Sequence, residues 1–249
     1  MRKLFFTTGS PFARAVRLVL VEKALPFERD ENYTTPSAEE RAKVSPTLQV
    51  PTLVEEDRRL WDSSVIIEYL MATYPNAEAP AGHQPFATHY VRPDHLWHDK
   101  LVHATLQTFG VSTATISQLQ WSGIRHEDNG HGARCAIRNQ HLLDWFETQL
   151  VSREDGFVPG VVSAQDVLLA CWCQFIERRP LRLTWRAAHR PKIEALVARL
   201  ESRPSFMQER ALWWEPGVTY ATPEEIAWAA EKTVDRGPTF AEWSARKAG

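Results

Sequence analysis

The sequence has little that would build a disulfide scaffold, a membrane span or a polyanion-binding surface. Three cysteines in 249 residues form no disulfide framework and point to a reducing compartment. No uninterrupted apolar run approaches the ~20 residues of a membrane helix. The opening Met1–Phe6 stretch is broken by Thr7-Thr8-Gly9-Ser10-Pro11, too early for the apolar core of a signal peptide. Lys and Arg number 29 against 31 Asp and Glu, a net charge of −2, so no global basic field suggests nucleic acid. There is no internal repeat and no low-complexity tract. What is present is 43% hydrophobic residues, 24% charged residues and ten tryptophans, a composition that can bury a sizeable core.

Two halves differ in pattern. Residues 3–7 read as a strand, and Ser10-Pro11 opens a helix whose apolar face runs through Phe12, Val16, Val19 and Leu20. Ser serves as N-cap, and Pro at the first helical position lacks only an N–H that would be orphaned there anyway. A strand over 27–33, a short exposed helix over 37–43, a hairpin through Val50–Trp61 and a helix opened by Asp62-Ser63 complete a β-α-β-α-β-β-α order within residues 1–76. The Pro- and Ala-rich stretch 77–86 reads as a linker. From 87 to 249 only helical periodicity appears. It includes a capping box at Ser163–Asp166, an all-round apolar run from Val167 to Cys173, and a tail helix opened by Thr222-Pro223. The fold class is therefore an α/β N-terminal domain followed by an all-α C-terminal domain.

Three features of the first half converge on ligand chemistry. Ser10 stands at a helix start, where free N–H groups and the helix dipole favour negative charge. Asp62-Ser63 stands at a second helix start, with a hydroxyl for a carboxylate and a carboxylate for an ammonium. Val50-Pro51, if cis, would turn the Val50 backbone toward an extended peptide. Taken singly, the first two are ordinary caps, and X-Pro bonds are cis only about 5–6% of the time. On spacing alone they mark an anion site.

In this order the motifs resemble the glutathione transferase family. Ser10-Pro11-Phe12-Ala13-Arg14 with Glu22–Phe27 looks like its first helix and second-strand entry, and Ser45-Pro46 through Gln49-Val50-Pro51-Thr52-Leu53 looks like its cis-proline stretch. Leu60–Ile66 looks like the Glu-Ser-x-x-Ile motif, Ser163-x-x-Asp166 like the family's capping box, and Pro191–Phe206 like its closing helix. The resemblance implies a thioredoxin-like first domain and a helical bundle. It also implies a serine-type site in which Ser10 favours the glutathione thiolate. An ordinary thiol, with pKa ~8.5, is only a few per cent ionised at neutral pH.

By the same resemblance Val50 and Pro51 would hold the cysteinyl part of glutathione, Asp62 and Ser63 its γ-glutamyl end, and Gln49 and Lys43 its glycyl end. Phe12, Val102, Leu106 and Phe109 would wall an apolar electrophile, with Trp213 and Trp214 as a lid. Glutathione is the implied co-substrate, with no metal. A cytoplasmic homodimer making no contact with nucleic acid or membrane is expected.

The sequence departs from the family at Asp62, where Glu is usual, and at Leu48 and Gln49, where Gly and Lys are common. Thr7 and Thr8 stand beside Ser10 as rival hydroxyls. No cysteine lies near that turn, which excludes mixed-disulfide chemistry there. A glutathione-dependent isomerase or dehalogenase, and a non-catalytic binding protein of the same fold, are the alternative functions. Elsewhere, His95-x-x-His98-Asp99 has metal-ligand spacing but reads as a helix face, Cys171-Trp172-Cys173 as core, and Arg178-Arg179 with Arg182 as a surface patch.

Overall fold

The computed structural model describes residues 1–31, 38–212 and 222–227. The expected order is found in the first half: β1 (Arg2–Phe5), α1 (Pro11–Glu22), β2 (Glu28–Asp30), α2 (Ala38–Ala42), β3 (Thr52–Glu55), β4 (Arg58–Trp61) and α3 (Ser63–Thr73). The sheet order is β2-β1-β3-β4. β1 runs parallel to β2 and antiparallel to β3, with Leu4 opposite both Arg29 and Leu53. The first crossover passes through α1, as parallel strands require. Of the strand expected over 27–33, β2 covers Glu28–Asp30, while residues 32 and 33 lie outside the described residues.

The second half is helical: α4 (Leu96–Trp121), α5 (Gly130–Gln149), α6 (Ala164–Glu177), α7 (Pro191–Glu201) and α8 (Pro204–Gln208). A further helix covers 223–227, where the Thr222-Pro223 start signal stood. Residues 88–119 resolve into an extended lead-in, one 3-10 turn at Pro93–His95 and the single 26-residue helix α4. The stretch 77–86 is not a free tether. Asn76 donates to the Phe86 carbonyl, Gln84 donates to Asp155, and Phe86 pairs with Val162 in an isolated parallel bridge.

α6 is central, with every residue from Ala164 to Ile176 buried, as its all-round apolar pattern requires. Its capping box is reciprocal: Ser163 Oγ accepts from Asp166 N at 3.2 Å, and Asp166 accepts from Ser163 N at 2.7 Å. Asp166 also accepts from Phe157 N at 2.9 Å. Gly156 is required beside it, because a Cβ there would lie 2.0 Å from the carboxylate. A second close approach joins α4 to α6, where a Cβ on Gly110 would stand 2.7 Å from the Trp172 indole.

Buried ions tie the halves together. Glu22 on α1 accepts two hydrogen bonds from Arg203, each 2.6 Å, and one from Ser205. Arg17 donates to Glu209 at 2.7 Å, and Arg29 pairs with the same carboxylate. That pairing holds Glu209 below the usual carboxylate range despite burial, which acts the other way. These contacts fix α1, and with it Ser10, against the helical layer.

Candidate functional site

Ser10 caps α1 with extended backbone (φ −75°, ψ 117°), and its Oγ accepts from Ala13 N at 3.2 Å. The oxygen thus sits among the helix's free N–H groups, the setting anticipated from Ser-Pro. Ser10 lines a cavity of about 420 Å³ between the sheet domain and the helical layer. A smaller recess of about 140 Å³ lies beside it, walled by Val50, Pro51, Asp62, Ser63 and Gln107. Phe12, Gln49, Val50 and Val111 belong to both walls, so the two spaces adjoin.

The Val50–Pro51 bond is cis. Asp62 caps α3 at φ 69°, and its Oδ1 accepts from Ser64 N at 2.8 Å and from the Ser64 hydroxyl. The cap stays on the exposed rim while the Ser63 side chain is buried in the recess. Together they offer a carboxylate and a hydroxyl side by side.

The three neighbouring hydroxyls separate. Thr8 Oγ1 donates to Glu31 at 2.7 Å and lies in a constriction behind Ser10, with Arg14 and Cys171. Thr7 shares the wall of the large cavity with Ser10.

Other expected positions fall elsewhere. Lys43 lines neither cavity: its ammonium is exposed and pairs with Glu40. The basic side chain on that side of the large cavity is Arg41, two residues earlier on α2, which shares the wall with Leu48 and Gln49. Val102, Leu106 and Phe109 are core residues at 0–1% exposure, and the α4 face that meets the cavity comes one to three turns later, at Val111, Ala114, Thr115 and Gln118. The apolar periodicity of α4 marked the residues packed under α5 and α6, whereas the cavity face is mixed and carries no such signal. Phe12 does line both spaces, and its ring meets Trp172 edge-on at 4.8 Å. Trp213 and Trp214 lie outside the described residues.

Arg179 was expected on the surface. Instead it is buried at the C-terminal end of α6, lines the cavity, and lies 3.8 Å over the Phe175 ring. It donates to the Gly9 carbonyl at 3.3 Å, one residue before Ser10. Its neighbour Arg178 is half-buried and pairs with the buried Glu225, and only Arg182 faces outward, toward Glu127. No sequence signal separates three arginines in five positions; only the rotation of the α6 end does. The His95–Asp99 segment is a structural ion-pair site, since Asp99 is taken by Arg92 through two side-chain bonds and one backbone bond. All three cysteines are free and buried. Among the described residues, no group of three or more His, Cys, Asp or Glu side chains is placed to hold a metal ion.

A thioredoxin-like sheet joined to a helical layer, with adjoining cavities around a helix-capping serine and a cis-proline, defines the class of protein. Comparisons with known proteins show what it is similar to. Residues 4–79 match the family model described as glutathione S-transferase, N-terminal domain. A glutathione S-transferase from Methylobacillus flagellatus, solved with glutathione bound, superposes with a TM-score of 0.68 at 23% identity, over 85% of this chain and 100% of that one. The uncharacterised GST-like protein YibF of Escherichia coli is 29% identical over 208 residues, 82% of this chain and 96% of its own length. A stringent starvation protein A homologue of Haemophilus ducreyi is 33% identical over 73 residues, only 34% of its length. The chain has the glutathione transferase fold, and its first domain is similar to the N-terminal domain of glutathione S-transferases, as the motifs implied.

Proposed function

We propose that the protein is a glutathione transferase that binds glutathione across the two adjoining cavities and presents its sulfur at Ser10. The observation that carries this reading is the placement of Ser10 on the wall of the large cavity, with the Val50–Pro51 and Asp62-Ser63 recess opening beside it. A γ-glutamyl group in the recess would meet the Ser63 hydroxyl with its carboxylate and Asp62 with its ammonium. The cysteinyl part would then lie along Val50, and the thiol would reach the start of α1. There the Ser10 hydroxyl, the helix N-terminus and the nearby Arg179 guanidinium all favour a thiolate over a thiol. The thiolate would attack an electrophile held against Phe12, Val111 and Trp172.

The glycyl end falls to Gln49 and Arg41 in this reading, with Lys43 in reserve outside the cavity. The two units are taken as residues 1–76 and 87–249. A cytoplasmic homodimer fits as well. Trp61 and Val65 are exposed on the first unit, and Trp97 and Leu101 stand one turn apart on α4 at 74% and 64% exposure, apolar surface that a second copy would cover. The cytosol also keeps glutathione reduced.

The test is thermal-shift titration with glutathione, followed by conjugation of 1-chloro-2,4-dinitrobenzene. Glutathione at millimolar concentration is expected to stabilise the protein. Ser10→Ala is expected to keep that stabilisation while conjugation falls at least about tenfold, ~1.4 kcal/mol of transition-state stabilisation. No stabilisation at millimolar glutathione would refute the reading. Full activity in Ser10→Ala, with loss in Thr7→Ala, would move the thiol contact to Thr7.

A further inference from the structure

The Asp62-Ser63 recess receives one polar side chain from the helical layer. Gln107 on α4 lines it together with Asp62 and Ser63, and takes no part in the wall of the large cavity. Glutathione bound as proposed brings an ammonium into this space, and an ammonium carries three N–H donors. Asp62 alone does not answer them. Its Oδ1 already accepts from Ser64 N and from the Ser64 hydroxyl, which leaves Oδ2, on the exposed rim. Thr47 Oγ1 is engaged by Ser45 Oγ at 2.9 Å and by Gln49 N at 3.4 Å. With the Ser63 hydroxyl given to the carboxylate and Gln49 to the glycyl end, the side-chain acceptor left on the described recess wall is Gln107 Oε1.

The direction of that amide is set from within α4. Gln107 Nε2 lies 3.3 Å from His103 Nε2, one helical turn earlier. An amide nitrogen can only donate, so the imidazole nitrogen accepts, and the Gln107 oxygen is the end left for the recess. Accepting in this way requires a neutral ring, and burial keeps His103 neutral by lowering its pKa to about 4. Its Nδ1 is buried without a hydrogen-bond partner among the described residues, so the Gln107 amide is the ring's one bond. The Tyr90 ring packs against the imidazole at 4.6 Å and holds it in place.

We infer that Gln107 is a specificity-determining residue for glutathione: its Oε1 joins Asp62 Oδ2 as the acceptor pair for the γ-glutamyl ammonium, and His103 is the positioning residue that turns that oxygen toward the ligand. The inference rests on the glutathione transferase reading above and deepens it. It names the groups by which the site tells glutathione from a thiol peptide that lacks the α-amine. The acceptor pair is complete only across the two halves, with Asp62 from the cap of α3 and Gln107 from α4. A hydrogen bond from a charged donor to an amide oxygen held in place by its own nitrogen needs little further ordering on binding.

Two peptides that differ in one group test it: glutathione, and glutaryl-cysteinylglycine, in which a hydrogen replaces the γ-glutamyl amine. Calorimetric titration reads both affinities without requiring turnover. The wild-type protein is expected to bind glutathione roughly tenfold or more tightly than the deaminated peptide. Gln107→Met, similar in length but apolar, is expected to cut that preference about fivefold, with affinity for the deaminated peptide within about twofold of the wild type. Gln107→Glu keeps an oxygen at the same reach and is expected to keep the preference. Gln107 is half-buried and both replacements are good helix formers, so α4 should fold in either variant. His103→Leu is expected to lower the preference about twofold alone and not at all beside Gln107→Met, the non-additivity of a residue that acts through another. Equal affinities in the wild type overturn the inference whatever the variants do. So does a preference that survives Gln107→Met, or an equal loss of affinity for both peptides, which would make Gln107 a wall or a carboxylate contact. Additive losses for His103→Leu and Gln107→Met would overturn the positioning role. If neither peptide binds, the glutathione transferase reading falls and this inference with it, an outcome distinct from equal binding of both.

Discussion

The small recess and the large cavity are built by different means. The recess takes Val50, Pro51, Asp62 and Ser63 from one stretch of the sheet domain, where an X-Pro bond, a hairpin and a helix cap set the backbone locally. Only Gln107 and Val111 reach it from the helical layer. The large cavity draws half its wall from α4 and α6, and its shape depends on how closely those helices approach at Gly110 and Trp172. Local chemistry thus positions the groups that would hold a fixed ligand, while long-range packing shapes the space for a variable one. Substitutions should therefore separate the two spaces, except where both depend on the joint between the halves.

That joint gives the largest expected effect. Glu22 and Arg203 are a fully buried pair in bidentate contact, with Ser205 completing the carboxylate's bonds. Arg203→Met leaves the Glu22 charge buried without its partner, which typically costs about 3–5 kcal/mol. Urea unfolding should show that loss, with both glutathione binding and conjugation falling together as the halves loosen. A loss below about 1 kcal/mol would mean that the pair does not hold the halves.

Acid should act next, through a buried residue beside the recess wall. His103 on α4 is buried, its ring meets Tyr90 at 4.6 Å, and its Nε2 lies 3.3 Å from the Gln107 amide that reaches the recess. Burial lowers its pKa to about 4, against a smaller opposing pull from Asp62. A folded pKa below the unfolded value of about 6.5 means that the unfolded chain takes up the proton first. Stability is therefore fully present above pH ~6.5 and is lost as pH falls toward 4, by about 3 kcal/mol in all. Carboxylates held low by arginines, such as Glu209 and Asp99, add their own losses only below their ordinary range. Denaturation midpoints measured from pH 7 to pH 4 should fall less steeply in His103→Leu than in the wild type. Parallel profiles would remove His103 from the account.

The contrast between the spaces also explains what could be read from the chain. Ser10-Pro11, Asp62-Ser63 and Ser163–Asp166 were legible because a cap is a local hydrogen-bond problem with few solutions. The β-α-β-α-β-β-α order followed from alternating periods. Val102, Leu106 and Phe109 pointed to the wrong part of α4, because hydrophobic periodicity finds a helix's core face, and a cavity face with Thr115 and Gln118 is not strongly apolar. Arg179 was indistinguishable from Arg178 and Arg182 until the end of α6 fixed its direction. Arg41 is on α2 and Lys43 lies just past its end, and which of the two reaches the cavity wall is a matter of backbone direction, not composition.

Gly110→Ala loads the helical side most directly, since Trp172 lines the large cavity and not the recess. The added methyl would meet the Trp172 indole at 2.7 Å, so α4 and α6 must part or the indole must shift. Overpacking of this kind costs about 1–3 kcal/mol. Conjugation should become weaker or change its preference among electrophiles, while glutathione affinity stays within about twofold because the recess gains no contact with Trp172. A comparable drop in glutathione affinity would show that the two spaces are not separable.

Asp62→Asn tests the sheet side with the smallest expected effect. Asp62 both caps α3 and, in the proposed reading, faces the γ-glutamyl ammonium. Asparagine is as good a cap as aspartate and tolerates the positive φ of 69° at this position, so the fold should not register the change. What disappears is the charge. Because the side chain is on the exposed rim, its attraction for an ammonium is screened and amounts to about 1 kcal/mol at most, roughly fivefold in glutathione affinity. Calorimetry at low and high salt should show the wild-type advantage shrinking as ionic strength rises, with unchanged melting temperature of the free protein. A variant that binds glutathione as tightly as the wild type at low salt would leave Asp62 as a cap only, and the ammonium would need another partner in the recess.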